Sequence, residues 1–311
     1  MKHLDLSRRD FLSLASVGGV AFASALTGCA RAAPAAPAVP GPPPSPPPLP
    51  SEDFFFLQLS DTHVGYRGDA NPEAATTLDR AIGRINGLET KPDFVVFTGD
   101  LTQTTDDPAE RRARMARFGE SVARLGVKDV RFLPGEHDAS LDAGTAFREA
   151  FGPTRWAFDH RGIHFVALDN VSDKAGALGK PQLDWLAADL ARTPAETPVV
   201  VFTHRPLFDL YPSWEWATRD GADALAILDR RSQVTVFYGH IHQAHHHVTG
   251  RVRHHAGRSL VFPLPAPGSV PKKAPVPWDP STPFAGLGSR LVETRGDDYP
   301  LLELPVERSS G

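Results

Sequence analysis

Six short and nearly continuous apolar segments, separated by stretches with helical periodicity, constrain the fold of this 311-residue chain most strongly. Each segment is rich in Phe and Val, which is typical of strands that are covered on both faces of a sheet. The alternation of these segments with helices predicts a layered α/β domain with much parallel strand pairing. The six segments are Phe54–Leu59, Phe94–Phe97, Val130–Leu133, Ile163–Leu168, Val199–Phe202 and Val234–Tyr238.

Proline residues mark the starts of three predicted helices. Asn71-Pro72, Asp107-Pro108 and Lys180-Pro181 each precede apolar residues at three- and four-residue steps, a pattern that favours a helix with proline in its first turn. A fourth helix is predicted around residues 221–230. After residue 263 the chain becomes proline-rich, which predicts irregular structure wrapped around the domain.

Carboxylate and imidazole side chains follow five of the six apolar segments. Ligands of open α/β sheets bind at the carboxyl ends of the strands, so these side chains are expected to face one another at one edge. Mixed oxygen and nitrogen donors without thiolates favour Mn, Fe or Zn, and the donors are too many for one tetrahedral ion. The pattern therefore predicts two divalent cations, held among Asp61, His63, Asp100, Glu136, His137, Asp138, His204, His240 and His242.

Each of these motifs is weak evidence when it is taken alone. An isolated Asp-x-His is more often a surface turn, and an isolated Gly-His-x-His is as often a capped loop. Their order, and the placement of all five after apolar segments, is what favours a metal site. Glycines precede Asp100, Glu136 and His240, and they allow the sharp turns that aim the next side chain at such a site.

From about Leu57 to His242 the chain resembles the calcineurin-like metallophosphoesterases, and residues 178–186 are similar to a linking helix often seen in that family. The resemblance implies a four-layer α-β-β-α sandwich, in which two mixed β-sheets are flanked by helices. It also implies a metal-dependent hydrolase that cleaves phosphodiesters or phosphomonoesters by attack of a dimetal-bridged hydroxide.

The resemblance assigns a role to each candidate ligand, carried over position by position. Asp100 would bridge the two ions. His137 would contact the phosphate and protonate the leaving group, oriented by Asp138. The ligands implied for the first ion are Asp61, His63 and His242. Those implied for the second ion are Glu136, His204 and His240.

Glu136 departs from the family pattern, which usually has Asn at this position. Glu adds a negative charge and, when ionised, has no N–H to donate. We therefore hypothesise that it repels a dianionic monoester more than a monoanionic diester, or that it favours a different metal. Two alternatives are that Glu136 simply serves as a metal carboxylate, and that it weakens or abolishes activity.

The N-terminal region is predicted to direct export. Residues 1–29 resemble a twin-arginine (Tat) signal peptide, with Arg8-Arg9 before a 16-residue apolar stretch that is shorter than the ~20 residues of a membrane span. They end in Leu26–Cys29, which resembles a lipobox with Cys29 as the lipidated residue. Two alternatives remain. Arg8-Arg9 would then be the positively charged start of an ordinary secretory (Sec) signal, and Cys29 would be an unmodified thiol in a cleaved peptide. A proline-rich linker, residues 30–52, is expected to hold a metallophosphoesterase domain, residues 53–311, clear of the membrane.

Composition narrows the functional classes. A net charge of -4 gives no basic surface for nucleic acid, so a nuclease is disfavoured. A single Cys excludes sites built from several thiolates. We expect an exported, periplasmic, lipid-anchored enzyme that acts on a small phosphoester, and the alternative is a non-catalytic metal-binding lipoprotein. The sequence does not decide the oligomeric state.

A second group of histidines surrounds Thr249-Gly250, which is typical of a hairpin turn. These histidines are expected to occupy ordinary hairpin positions, although one of them could line the active site or bind a third metal ion. Trp214 and Trp216 are expected to pack beneath their loop, with stacking on a substrate ring as the alternative. The hairpin histidines are His245, His246, His247, His254 and His255.

Overall fold

The computed structural model describes residues 53–295 and 299–307. The predicted signal segment, its Cys29 and the predicted linker lie outside the described residues. Within those ranges, no helix combines the length and the apolar character needed to cross a bilayer.

Strands and helices alternate through most of the domain. The strands are β1 (Phe55–Leu59), β2 (Val95–Thr98), β3 (Val130–Leu133), β4 (Trp156–His160), β5 (Ile163–Ala167), β6 (Val199–Phe202), β7 (Val234–Tyr238), β8 (His245–Thr249), β9 (Val252–Ala256), β10 (Gly288–Glu293) and β11 (Leu301–Pro305). The helices are α1 (Ala74–Asn86), α2 (Pro108–Val122), α3 (Glu136–Ala139), α4 (Thr145–Phe151), α5 (Lys180–Arg192) and α6 (Gly221–Leu228).

The strands form two mixed sheets. The first has the order β11-β10-β1-β2-β3, with β1, β2 and β3 parallel. The second has the order β4-β5-β6-β7-β9-β8, with β5, β6, β7 and β9 parallel and an antiparallel strand at each edge. In each sheet the carboxyl ends of the parallel strands therefore meet at one edge, as the sequence predicts.

A layer of aromatic rings joins the two sheets. The Phe56 ring stacks on Phe94 at 4.8 Å between centroids, and it meets Phe165, Phe202 and Phe237 edge-on at 5.6–5.8 Å. Separate apolar clusters pack α1, α2 and α4 on the outer face of the first sheet, and α5 and α6 on that of the second. This arrangement confirms the predicted four-layer sandwich.

The helix starts agree with the prolines in two cases, and α1 begins later than predicted. The Asp107 side chain accepts hydrogen bonds from the first turn of α2, and α5 begins at Lys180. The helix predicted from Pro72 begins instead at Ala74, because the Asn71 side chain bonds the Glu73 N–H and holds a turn before the helix.

The prediction of irregular structure after residue 263 is wrong in its last part. Strands β10 and β11 extend the first sheet beside β1. The edge strand β4 was not predicted either. A buried Arg290 interrupts the apolar pattern of β10, and its Nε lies 2.6 Å from Glu303 Oε1 on β11. This cross-strand pair makes a charged residue compatible with a buried strand.

The histidines after β7 form the hairpin β8–β9, with His247 opposite His254. Phe208 stacks on the His247 ring at 4.0 Å and meets His254 edge-on at 4.8 Å. His254 is fully buried, and within the described chain neither ring nitrogen has a hydrogen-bond partner. Burial lowers the pKa of His254 to about 3. Trp214 and Trp216 are also buried and meet each other edge-on at 5.0 Å.

Candidate metal centre

The loops that follow β1, β2, β3, β6 and β7 converge where the parallel edges of the two sheets meet. Backbone hydrogen bonds of 3.0 Å join the first two loops, from Asp61 N to Gly99 O and from His63 N to Asp100 O. Each of three sets of residues can bring one ligand atom per residue to within 4.8 Å of the others. The sets are Asp61, His63 and His242; Asp100, Glu136, His204 and His240; and His63, Asp100 and His137.

Five of these residues have left-handed backbone, which L-residues rarely adopt. Such strain at a cluster of buried polar residues is typical of a functional site. Gly99, at φ +98°, also leaves room for a neighbour, since a Cβ there would collide with the His204 ring. The five residues are Asp61 (φ 54°), His63 (φ 43°), Asp100 (φ 49°), His240 (φ 65°) and His242 (φ 54°).

Oxygen acceptors orient three of the imidazoles in the same way. The Nδ1 atoms of His63, His204 and His242 lie 2.7–3.0 Å from the Gln103 side-chain oxygen, the Thr98 carbonyl and the Phe262 carbonyl, respectively. A carbonyl oxygen can only accept, so each Nδ1 carries a proton, and in the neutral ring each Nε2 directs a lone pair into the cluster. This is the arrangement of metal-binding histidines, whose second nitrogen donates to an outer partner.

His240 reaches the cluster with its other nitrogen. Its Nε2 lies 3.2 Å from the Glu215 carbonyl oxygen, so Nε2 donates and Nδ1 faces inward, 2.8 Å from Glu136 Oε1. The other Glu136 oxygen lies 3.0 Å from His204 Nε2. The longer Glu side chain therefore spans the two imidazoles that the resemblance assigns to the second ion.

The charges of the cluster fit divalent cations. His63 Nε2, His204 Nε2 and Glu136 Oε2 are buried and have no hydrogen-bond partner in the part of the chain described. Burial lowers the pKa of His63 to about 3, which keeps the imidazole neutral and able to bind a metal. Burial alone would also lower the pKa of His204, but the Asp100 and Glu136 carboxylates raise it well above its usual value. The same excess of negative charge favours divalent cations between these atoms.

His137 lies at the solvent side of the cluster, with its Nε2 4.0 Å from Asp100 Oδ2. The Thr104 N–H donates to His137 Nδ1 at 3.2 Å, and the Thr104 hydroxyl lies 2.7 Å from the same atom. Because Nδ1 accepts a hydrogen bond from the backbone, the ring proton of neutral His137 is on Nε2, the nitrogen that faces the site.

The structure corrects the orienting role predicted for Asp138. Its two oxygens accept four hydrogen bonds of 2.8–2.9 Å, from the backbone of Leu101, Thr102 and Gly135 and from the Thr102 hydroxyl. These bonds use all the lone pairs of the carboxylate, which therefore clamps two loops while Thr104 orients His137. Burial, followed by the Asp100 charge, raises the pKa of Asp138 to about 6.

Sequence reasoning missed several residues that complete the site. Thr104 and Gln103 follow Asp100 in the same loop without a recognisable motif. Arg205 directly follows His204, and its Nε lies 3.6 Å from Glu136 Oε2. The position of Arg205 directly after the predicted ligand His204 was the one sequence signal that could have identified it.

The layered fold and the buried histidine–carboxylate cluster together define a dinuclear metal-dependent hydrolase. The chain belongs to the calcineurin-like phosphoesterase family, whose sequence pattern matches residues 56–244. It is accordingly a metallophosphoesterase that cleaves phosphoester bonds. Two bound divalent cations supply a water of lowered pKa and neutralise charge on the phosphate oxygens.

Three curated relatives are informative. The chain is 29% identical over 238 residues to a Rhodopseudomonas palustris protein named "Probable cyclic nucleotide phosphodiesterase", which covers 70% of this chain and 83% of the relative. It is 28% identical to a "cAMP/cGMP dual specificity phosphodiesterase" of Mycobacterium tuberculosis (62% and 63% covered). It is 30% identical to a "Probable glycerophosphodiester phosphodiesterase" of Arcobacter nitrofigilis (48% and 56% covered). The chain thus spans less than two thirds of the last two relatives.

Two solved structures share the fold. A dimetal phosphatase from Danio rerio superposes with a TM-score of 0.56 at 14% identity, covering 82% of this chain and 99% of that chain. A purple acid phosphatase from yellow lupin (Lupinus luteus) seeds superposes with a TM-score of 0.55 at 13% identity, covering 80% and 51%. At such low identities the likeness concerns the fold alone.

Proposed function

We propose that this metallophosphoesterase acts on small phosphodiesters, with cyclic nucleotides and glycerophosphodiesters as the leading substrate classes. The observation that carries the proposal is a groove of about 1370 Å³ that begins at His63 and Thr104. It thus opens beside His137, the proposed leaving-group acid, and gives room for a substituent on that side of the phosphorus. Tyr66 and Arg114 also line it. The names of the three relatives support the same substrate class.

In the proposed reaction the residues divide the work. Asp61, Asp100 and the inward-facing histidines would hold the ions. Nε2 of the protonated His137 ring would give its proton to the leaving oxygen, which leaves the ring neutral. The Thr104 hydroxyl, 2.7 Å from Nδ1, can accept the other N–H of the charged ring, so Nε2 remains the nitrogen that faces the substrate. No side-chain nucleophile is needed, since water attacks the phosphorus.

The test is a comparison of diester and monoester turnover by Mn-loaded protein. Bis(p-nitrophenyl) phosphate and p-nitrophenyl phosphate carry the same leaving group, and 3′,5′-cAMP and glycerophosphocholine represent the natural classes. We expect higher kcat/KM for the diesters, lost in Asp100→Asn. Faster turnover of the monoester would contradict the diester assignment. Metal binding without turnover of any of these substrates would favour the non-catalytic alternative.

We also propose export by the Tat route and lipid anchoring at Cys29 in the periplasm. Arg8-Arg9 followed by an apolar stretch supports the route, and Leu26–Cys29 supports the anchor. The test is radiolabelled palmitate incorporation in cells that express the full chain. Cys29→Ser should abolish the labelling, and replacing both arginines by lysine should retain the protein in the cytoplasm. Labelling that survives Cys29→Ser would contradict the anchor.

A further inference from the structure

Arg205 lies against Glu136, the residue that departs from the family pattern. Its Nε is 3.6 Å from Glu136 Oε2, and the two side chains are only 15% and 20% exposed. The Arg205 Nε atom is buried and makes no hydrogen bond with the described residues. A guanidinium has five N–H donors, and this contact leaves donors available for a further acceptor.

The position of Arg205 is fixed from its backbone. The side-chain oxygen of the buried Asn170 accepts the N–H groups of His204 and Arg205 at 3.3 and 3.2 Å. Its amide nitrogen donates to the Arg205 carbonyl at 2.9 Å and to the Thr218 hydroxyl at 2.8 Å. One amide side chain thus ties the loop after β6 and sets the direction in which Arg205 leaves it.

The guanidinium end is accommodated by a glycine. A Cβ at Gly176 would lie 2.7 Å from the nearest terminal nitrogen of Arg205, and Gly176 has φ +68°. A side chain at this position would therefore displace the guanidinium from the place it occupies. Two residues therefore set the direction of the Arg205 side chain. Asn170 fixes its backbone, and Gly176 leaves space for its guanidinium.

The charge of Arg205 offsets that of Glu136. Asp61, Asp100 and Glu136 are the carboxylates of the two main ligand sets, and against two divalent cations they leave one positive charge. A neutral amide in place of Glu136 would leave two. Arg205 restores the second positive charge at the same end of the site, so Glu136 and Arg205 together are equivalent in charge to one amide.

We propose that Arg205 is a positioning and anion-binding residue. It compensates Glu136 and offers its remaining N–H groups to the phosphate oxygens of the substrate. The inference replaces our hypothesis that Glu136 repels dianionic phosphates, because the repulsion is offset within the site. It rests on the phosphoesterase activity of the family and not on the diester preference.

The test is a double-mutant cycle of Arg205→Gln and Glu136→Asn in the Mn-loaded protein, with inorganic phosphate as the probe in calorimetric titrations. R205Q alone should weaken phosphate binding at least tenfold, because it removes a donor and leaves Glu136 uncompensated. In the E136N background the same substitution should cost no more than about threefold. A loss within twofold of native for R205Q, or an equal loss in both backgrounds, would overturn the proposal.

Calorimetric Mn²⁺ titration gives a readout that is independent of turnover. R205Q should bind both ions at least as tightly as the native protein, since it removes a positive charge beside Glu136. Loss of the second ion in R205Q would overturn the proposal. The matched control is the exposed ion pair of Arg112 and Glu149, which joins α2 to α4, and R112Q and E149N should leave phosphate binding within twofold of native.

Arg205→Lys keeps the charge and covers the case in which R205Q does not fold. R205K should bind phosphate within about threefold of the native protein. If R205K loses phosphate binding tenfold while retaining both Mn ions and its native circular dichroism, the charge compensation is wrong.

Discussion

Oδ2 of Asp100 lies 3.3 Å from Nε2 of His204, and both side chains are buried. The same oxygen lies 3.5 Å from His63 Nε2, so Asp100 reaches both ligand groups. Oδ1 of Asp100 accepts the backbone N–H of His137 at 2.9 Å, which fixes the direction of the carboxylate. Asp100 is therefore in the position expected of a residue shared by two ions.

The first prediction concerns this shared carboxylate. Asp100→Asn should lower turnover by more than about 100-fold, the upper range for loss of even an outer-shell partner of a metal site. It should also reduce the metal content from two ions per chain, because the amide removes a negative charge between the ligand groups. Elemental analysis of dialysed protein measures this, and two retained ions with native turnover would contradict the assignment.

The second prediction concerns His137 as the proton donor. His137→Asn should slow hydrolysis of diesters with alkyl leaving groups by about 10²–10⁴-fold, the usual contribution of a general acid. Esters of p-nitrophenol should be affected much less, because that leaving group departs without a proton. The measurement is kcat across a series of leaving-group pKa values, and a uniform loss along the series would exclude proton donation by His137.

The third prediction separates Asp138 from Thr104. Asp138→Asn should lower the free energy of unfolding by about 2–4 kcal/mol, because an amide cannot accept all four of the hydrogen bonds and leaves buried N–H groups unpaired. Thr104→Val should change stability little and should mainly lower turnover of poor leaving groups. Urea unfolding and the leaving-group series distinguish the two. A native unfolding free energy in Asp138→Asn would restore the orienting role.

The fourth prediction concerns the buried His254 of the hairpin. Its folded pKa of about 3 lies below the unfolded value of about 6.5, so the unfolded chain binds more protons between these pH values. Stability from the neutral ring is therefore present above pH 6.5 and is lost as the pH falls, by about 2 kcal/mol at pH 5. His254→Phe should remove this part of the pH dependence.

The metal ligands also titrate in this range, so the informative quantity is the difference between variants. Urea unfolding at pH 7.5 and pH 5.0 should give a smaller loss for His254→Phe than for the native protein. His247→Phe makes the same substitution at the exposed position opposite and should retain most of the native pH dependence, because burial is the main cause of the low His254 pKa. Equal losses in all three proteins would show that His254 is not the titrating group.

Periodicity was enough to predict a layered α/β domain with parallel strand pairing, and the family resemblance supplied the four-layer sandwich. The apolar segments were recognisable because their strands are buried on both faces, as Val199–Phe202 illustrates. Strand β10 was not predicted, because its buried Arg290 interrupts the apolar pattern and is explained only by Glu303 on the neighbouring strand. A contact between side chains of two different strands leaves no local periodicity, so the sequence could not predict it.

In the candidate site, too, some residues could be predicted from the sequence and others could not. Asp61 and His240 could be predicted because each follows a strand. The outer contacts could not, because carbonyls such as that of Thr98 carry no side-chain signature. The family resemblance implied that Asp138 orients His137, but four donors occupy the Asp138 oxygens. Thr104 was missed because it belongs to no recognisable motif.

The left-handed backbone at the five candidate ligand positions lowers the stability of the fold in the same place where it serves the site. Each such conformation costs an L-residue roughly 1–2 kcal/mol that glycine does not incur. Glycine at His63, for example, would relieve this cost while removing a ligand. A screen of variants for thermal tolerance alone would therefore favour inactive proteins at these positions, and any effort to make this enzyme more robust should begin elsewhere in the chain.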